Sequence, residues 1–219
     1  MVIIVAFLLA FVSSSLKDTQ DENVALDQKK QILSSLNIDL KDADASKLYS
    51  EIVLQEQLIN SEGAVIAETG AFDIVSNVEN AKPLAERQLP LYVCQINGET
   101  KYVLPVYGAG LWGPIWGYVS LNDDKATVYG AYFAHAGETP GLGAEITTEK
   151  FRSQFQGKTI FSNGEFVSVK VVKGGVAKLA ADLQTYSVDA ISGGTITSQG
   201  VNNMIENVLG SYLPYIEKQ

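Results

Sequence analysis

The chain has one cysteine, Cys94, and one histidine, His135, in 219 residues. A lone thiol cannot close an internal disulfide, and so small a set assembles neither a Cys-rich metal site nor a multi-histidine centre. Basic residues are also few: 16 Lys and Arg stand against 25 Asp and Glu, a formal net charge of -9. Affinity for a phosphate backbone comes from clustered Lys and Arg, so nucleic acid is not an expected partner. Charged residues amount to only 19% and apolar ones to 46%. That excludes a disordered chain, which needs low hydrophobicity and high charge to stay unfolded. The length fits one ordinary domain with added segments and allows a sizeable core.

The apolar residues are unevenly spread. Residues 1–16, MVIIVAFLLAFVSSSL, carry no charged side chain. As a helix this stretch is about 24 Å long at 1.5 Å per residue, short of the roughly 30 Å hydrocarbon core. Two readings compete. One is a transmembrane anchor over 1–16 clipped at its start. The other is a signal peptide, whose apolar region is followed by small residues such as Ser13, Ser14 and Ser15. Both readings expect a basic residue ahead of the stretch and none is present, so a native start upstream of Met1 is expected. The flank that follows (Lys17, Asp18, Asp21, Glu22, Asp27, Lys29, Lys30) is mixed in sign and is no basic retention signal, so export of the remainder is expected. Helix formers over 23–36 (Ala25, Leu26, Gln28, Lys29, Lys30, Ile32, Leu33) predict a helix broken by Asn37 and Asp39, and a shorter one starts after Asp44. This divides the chain into an anchor, a helical stalk over 17–48 and an exported domain over 49–219.

The texture then changes. All but two of the 19 glycines lie from Gly98 onward, and period-two apolar runs predict strands over 91–96, 102–107, 127–133 and 166–172. Asn97-Gly98 between the first two is a tight-turn signal, because both residues accept positive φ. Helices are expected over 148–156, opened by a Thr148 cap, and from Ser198 to about Leu213, closed by Pro214. The fold class is mixed α+β with antiparallel strands. Cys94 falls in a strand and reads as a small buried apolar residue.

Three glycine-rich segments carry the chemistry. Gly108-Ala109-Gly110-Leu111-Trp112-Gly113 is formally G-x-G-x-x-G. A dinucleotide site requires a helix to start inside that motif, yet Pro114-Ile115-Trp116-Gly117 and a β-rich run follow, so a glycine-rich strand connection is the better reading. Trp112 and Trp116 are then either core residues or a flat apolar surface for a ring. In His135-Ala136-Gly137-Glu138-Thr139-Pro140-Gly141-Leu142-Gly143 the glycines let backbone approach a planar ligand closely, and the same composition also makes a plain structural turn. His135 is more simply a hydrogen-bonded structural residue than a catalyst. Ser192-Gly193-Gly194-Thr195-Ile196-Thr197-Ser198 precedes a helix whose apolar positions are Val201, Ile205, Val208, Leu209, Tyr212 and Ile216. A helix N-terminus presents unpaired N–H groups and partial positive charge, so these hydroxyls serve either as a cap with a turn or as a phosphate site. No catalytic acid/base pair is visible, and the carboxylates, Glu138 included, read as a solvated surface.

Taken together and in this order, G-x-G-L-W-G, H-x-G-E-T-P-G-L-G and S-G-G-T-I-T-S resemble the C subunit of the sodium-translocating NADH:quinone reductase, over essentially the whole chain. The last segment resembles the flavinylation pattern of FMN-binding domains, [S/T]-G-[A/G]-[S/T]-x-[S/T], with Gly194 where Ala is commoner. The G subunit of the Rnf electron-transport complex shares that attachment pattern and is the alternative family. A tethered, non-redox ligand-binding module and a free-standing exported flavoprotein reductase are alternatives of other classes.

The resemblance implies FMN joined to Thr197 by a phosphoester. Its phosphate would be met by the helix N-terminus, the N–H groups of Gly193 and Gly194 and the hydroxyls of Thr195 and Ser198, with Ser192 also in the cofactor-binding segment. Its ring would lie against Glu138, Thr139, Gly141, Leu142 and Gly143 and the Leu111-Trp112 region. The resemblance further implies a one-electron carrier, passing electrons from an iron-sulfur centre in partner subunits toward a second covalent flavin. It implies other membrane subunits as partners and a flavin transferase during maturation. It also implies that NADH, quinone and sodium are handled only by the whole complex, and that the domain would sit on the periplasmic side of a bacterial inner membrane, held by a single span.

Overall fold

In a computed structural model describing residues 2–41 and 43–218, the apolar stretch and the helix formers after it make one uninterrupted helix, α1 (Val2–Ser35). Its 34 residues extend about 51 Å at 1.5 Å per residue. Residues 2–24 are exposed, and the helix is long and apolar enough to cross a membrane. From Gln28 onward it packs on the domain, with Ile32, Leu33 and Leu36 fully enclosed. Asn37, at φ 58°, ends it in a Schellman arrangement: Ile38 N–H donates to Leu33 O at 3.2 Å and Asn37 N–H to Ser34 O at 3.1 Å. The short helix α2 (Ala45–Ile52) starts after Asp44, whose carboxylate accepts from the N–H groups of Ser46 and Lys47.

α2 runs directly into β1 (Val53–Ile59), followed by β2 (Val65–Ala67) and a one-turn helix α3 (Ser76–Asn80). Then come β3 (Leu89–Ile96), β4 (Glu99–Ala109), β5 (Pro114–Leu121) and β6 (Val128–His135). These strands form an antiparallel sheet of order β2-β1-β3-β4-β5-β6. The β3–β4 turn is the expected one, with Asn97 at φ 52° and Gly98 at φ 84°.

The sheet is covered on both faces because its strands alternate apolar residues toward each. Tyr92, Cys94, Val103 and Tyr118 meet α1 and α2, and Cys94 is buried as expected. Leu91, Leu104, Val106, Ile115, Val119 and Phe133 line the opposite core, which the C-terminal helix, Phe151 and Phe155 complete. Beyond β6 lie α4 (Glu149–Arg152), β7 (Phe161–Ser162), β8 (Glu165–Phe166), β9 (Lys170–Val172), α5 (Ala181–Gln184), β10 (Ser187–Asp189) and α6 (Thr195–Ile216). β9 and β10 pair in parallel.

Four local expectations are corrected. The strand expected over 166–172 is two pieces, β8 and β9. Between them Ser168 takes the left-handed φ of 59°, and Val167 and Ser168 both donate to Ile160 O, so the ladder is interrupted. The helix expected over 148–156 is one α-turn followed by a 3-10 turn, Ser153–Phe155. Thr148 stands at its N-cap but donates its hydroxyl to Glu145 O at 2.8 Å instead of capping. The last helix begins at Thr195, three residues early, and contains Pro214 instead of ending before it. Proline removes one N–H and crowds the carbonyl four residues back, which here belongs to Gly210. The helix tolerates it so close to its end, where only Tyr215 and Ile216 follow before Glu217 N–H closes on Leu213 O at 2.9 Å.

Candidate functional site

The three glycine-rich segments meet at one end of the sheet, around a cleft of about 360 Å³ lined by Leu111, Trp112, Glu138, Thr139, Leu142, Gly143, Gly193, Gly194, Thr195, Ile196 and Thr197. The first segment is a β-hairpin. Gly110 N–H donates to Gly113 O at 2.8 Å, and β5 starts at the next residue, so no helix follows and the geometry of a dinucleotide fingerprint is not formed. Trp112, at the tip, is 69% exposed. Trp116 points to the other face, where its ring N–H reaches Gln31 Oε1 at 3.3 Å.

The second segment leaves β6 and turns immediately, because Glu138 N–H donates to His135 Nδ1 at 3.1 Å. His135 is thus a structural acceptor. Leu142 packs over the third segment: a Cβ on Gly193, which has φ 77°, would lie 2.6 Å from Leu142 Cδ2. Leu111, Leu142 and Ile196 are exposed around the mouth, so with Trp112 they give the cleft an apolar rim.

The third segment supplies the floor. Gly194 occupies the N-cap of α6, and among the described residues no side chain caps this end. The N–H groups of Thr195, Ile196 and Thr197 form the first turn, where helix geometry provides no internal acceptor. Thr197, 1% exposed, donates its hydroxyl hydrogen to Glu138 Oε2 at 2.5 Å. The other carboxylate oxygen of Glu138 accepts from Trp112 N–H at 2.8 Å, so one side chain joins all three segments.

This corrects the reading of Glu138 as a solvated surface acid. It is 4% exposed, and among the described residues it is the only ionisable side chain lining the cleft. Sequence reasoning missed the pairing because the partners are 59 residues apart. Glycine makes room for it: a Cβ on Gly143 would overlap both Glu138 Oε2 and Thr197 Oγ1, and one on Gly110 would lie 2.5 Å from Glu138 Oε1.

Some expected groups are engaged elsewhere. Ser198, 2% exposed, turns inward and accepts from Ile191 N–H at 3.0 Å, so its hydroxyl closes the strand-to-helix turn and does not face the cleft. Gly194 N–H is bonded to Ile191 O at 3.1 Å. Ser192 and Gly141 line a neighbouring groove of about 870 Å³ that also contains Glu145, Lys150 and Asp189. Leu111, Trp112, Glu138, Thr139, Leu142, Gly143, Gly193, Thr195 and Thr197 are brought together as expected, and Ile196 joins them.

The donor set suits a flavin phosphate. An uncapped helix N-terminus attracts an anion, and a buried hydroxyl stands in the same first turn. An aromatic and aliphatic rim suits a planar ring.

Comparison with known proteins agrees with this geometry. Residues 110–210 match the family model of the FMN-binding domain. The C subunit of the Na(+)-translocating NADH-quinone reductase of Pasteurella multocida is 32% identical over 224 residues, covering 93% of this chain and 84% of the relative. Its counterpart in Vibrio vulnificus strain YJ016 is 28% identical over 234 residues, with 99% and 90% covered. The crystal structure of the counterpart from Parabacteroides distasonis superposes with a TM-score of 0.85 at 42% identity, over 93% of this chain and 98% of that one. A relative above 30% identity matched along nearly its whole length settles the family, and the chain belongs to the C subunits of the Na(+)-translocating NADH-quinone reductase, an oxidoreductase complex.

Proposed function

We propose that the chain carries FMN as a phosphoester on Thr197 and relays single electrons between partner subunits of its complex. The observation that carries this reading is the place of the Thr197 hydroxyl: the first turn of an uncapped helix, opening on a cleft with an apolar rim. Bound there, FMN supplies the capacity to take up and release electrons one at a time. The protein holds it and tunes it. The N–H groups of Thr195, Ile196 and Thr197 and the partial charge of α6 stabilise the phosphodiester, a helix-terminus effect of about 0.3–2 kcal/mol. Thr195 adds a hydroxyl at the same turn. Leu111, Trp112, Leu142 and Ile196 exclude water from the ring, and Thr139 and Glu138 border it. A covalent bond retains the flavin whatever its non-covalent affinity, which matters for a domain facing a dilute compartment.

In this reading the exposed apolar part of α1, about residues 2–16, is the membrane anchor, and the sheet domain stands on the periplasmic side. A span that continues without a break into a packed helix is a better anchor than a cleavable leader, because Ile32, Leu33 and Leu36 belong to the domain's own core. NADH, quinone and sodium are then handled by the complex, with electrons arriving from and leaving to other subunits.

The test is attachment itself. Co-expressed with a flavin transferase, the chain gains the mass of FMN less one water, the gain maps to the peptide holding Thr197, and it disappears in Thr197→Ala. A chain that stays unmodified under those conditions overturns the phosphoester and favours a tethered binding module.

A further inference from the structure

We propose that Glu138 is the catalytic base of the chain's own modification: it accepts the Thr197 hydroxyl proton as the phosphoester forms. The inference rests on the reading of Thr197 as the attachment site. An alcohol oxygen becomes a competent nucleophile only as its proton is removed, and a base must lie within hydrogen-bond reach of that proton. Thr197 Oγ1 donates to Glu138 Oε2 at 2.5 Å.

The carboxylate is held for this task. Trp112 N–H fixes Oε1 at 2.8 Å, and the residue's own N–H is fixed on His135 Nδ1 at 3.1 Å, which leaves Oε2 turned to the hydroxyl. Gly143 and Gly110 leave space for that pair and little else. His135 is the other titratable group in direct contact with Glu138, and the remaining side chains that line the cleft are uncharged.

The step balances without any redox change. The co-reactant is a flavin phosphoanhydride, a molecule in which FMN forms one side of a P–O–P linkage. The Oγ1–P bond forms, the anhydride P–O bond breaks, and the leaving phosphate departs with that bond's electron pair. The hydroxyl proton passes to Glu138 Oε2. Proton transfer also suits the product. A buried carboxylate facing a new phosphodiester would set two negative charges side by side, whereas the neutral acid can stand there as a donor.

A purely structural role for Glu138, tying the hairpin to α6, makes the opposite forecast for two variants. Glutamine is isosteric and keeps the acceptor for Trp112 N–H, whereas aspartate keeps the carboxylate but fits less well. The experiment uses the full chain in detergent with purified flavin transferase and flavin adenine dinucleotide. Initial rates are read as intact mass from pH 6 to 9.5, alongside thermal unfolding of each unmodified variant.

The expected result is that Glu138→Gln slows attachment about 100-fold or more at pH 7, in line with general-base contributions. Hydroxide then restores part of its rate as pH rises, and Glu138→Asp runs at least about tenfold faster than Glu138→Gln. A Glu138→Gln rate within about threefold of wild type, or above that of Glu138→Asp, overturns the proposal while leaving the phosphoester standing. A wild-type chain that takes no flavin on Thr197 overturns both.

Discussion

Ser120, in the middle of β5, donates its hydroxyl hydrogen to Ser35 O at 2.6 Å, so a carbonyl orphaned by the end of α1 is satisfied from inside the sheet. Gly130 on β6 makes this approach possible, since a Cβ there would lie 2.5 Å from the same carbonyl. Asn37 adds a second tie, donating to Tyr129 O at 2.7 Å. The last two turns of α1 are therefore part of the domain, while the residues before Ala25 are exposed. Deleting residues 2–22 should leave the unfolding temperature of the domain within a few degrees of the full chain's. Leu33→Ala should cost about 2–5 kcal/mol, because Leu33 is fully buried against the sheet. Urea unfolding of both variants checks this; a large loss on truncation would mean that the exposed half of α1 supports the fold.

Gly143 is the most sensitive position in the cleft. Its missing Cβ is the space in which Glu138 Oε2 and Thr197 Oγ1 meet. Gly143→Ala must push the two apart or displace the loop, at about 1–3 kcal/mol of overpacking. Attachment of flavin at Thr197 should fall much further than stability does, because proton transfer across that hydrogen bond tolerates little displacement. Intact mass and thermal unfolding on the same preparation separate the two effects.

Much of this was legible in the sequence, for identifiable reasons. The Asn97-Gly98 turn needs positive φ twice, and α6 shows its buried positions at helical spacing from Val201 to Ile216. The three glycine-rich segments were readable as loops because glycine marks close backbone approach. β1 escaped notice because its burial does not alternate cleanly: Leu54 and Gln55 are exposed, and only Leu58 and Ile59 are enclosed. The start of α6 was misplaced because Gly194 caps it without a side chain, so the hydroxyls of Thr195 and Thr197 fell inside the helix instead of ahead of it. Glu138 could not have been found by local pattern. Its burial and its bond to Thr197 exist only once β4, β6 and α6 are brought to the same end of the sheet.

Trp112 offers a test of where the ring lies. Its side chain is 69% exposed and contributes little to the core, whereas its backbone N–H, which holds Glu138, survives substitution. Trp112→Ala should therefore leave the unmodified protein's stability within about 0.5 kcal/mol of wild type. With flavin attached, loss of the indole should raise flavin emission several-fold and open the ring to quenching by iodide, since an aromatic face in contact both quenches and shields. Unchanged emission and shielding would place the ring away from the hairpin.

Glu79 governs a pH dependence remote from the cleft. Burial pushes its carboxyl up, but Gln88 N–H at 3.0 Å, the Lys82 ammonium at 2.6 Å and the nearby Arg87 charge outweigh this and hold it below the usual carboxylate value. A folded-state value below the unfolded one contributes stability above the unfolded carboxylate pKa of about 4.3, and that contribution is lost as pH falls through the folded value. The residue ties the segment from α3 to β3, where Arg87 also bonds the carbonyls of Asn80 and Lys82. Glu79→Gln should cost about 1.5 kcal/mol at pH 7, in the range of hydrogen bonds to charged groups. The difference should shrink steadily below about pH 4 as the wild-type carboxylate takes up its proton. Urea midpoints for wild type and variant across pH 7 to pH 2.5 measure it. A difference that stays constant with pH would mean that the side chain acts through packing and not through its charge.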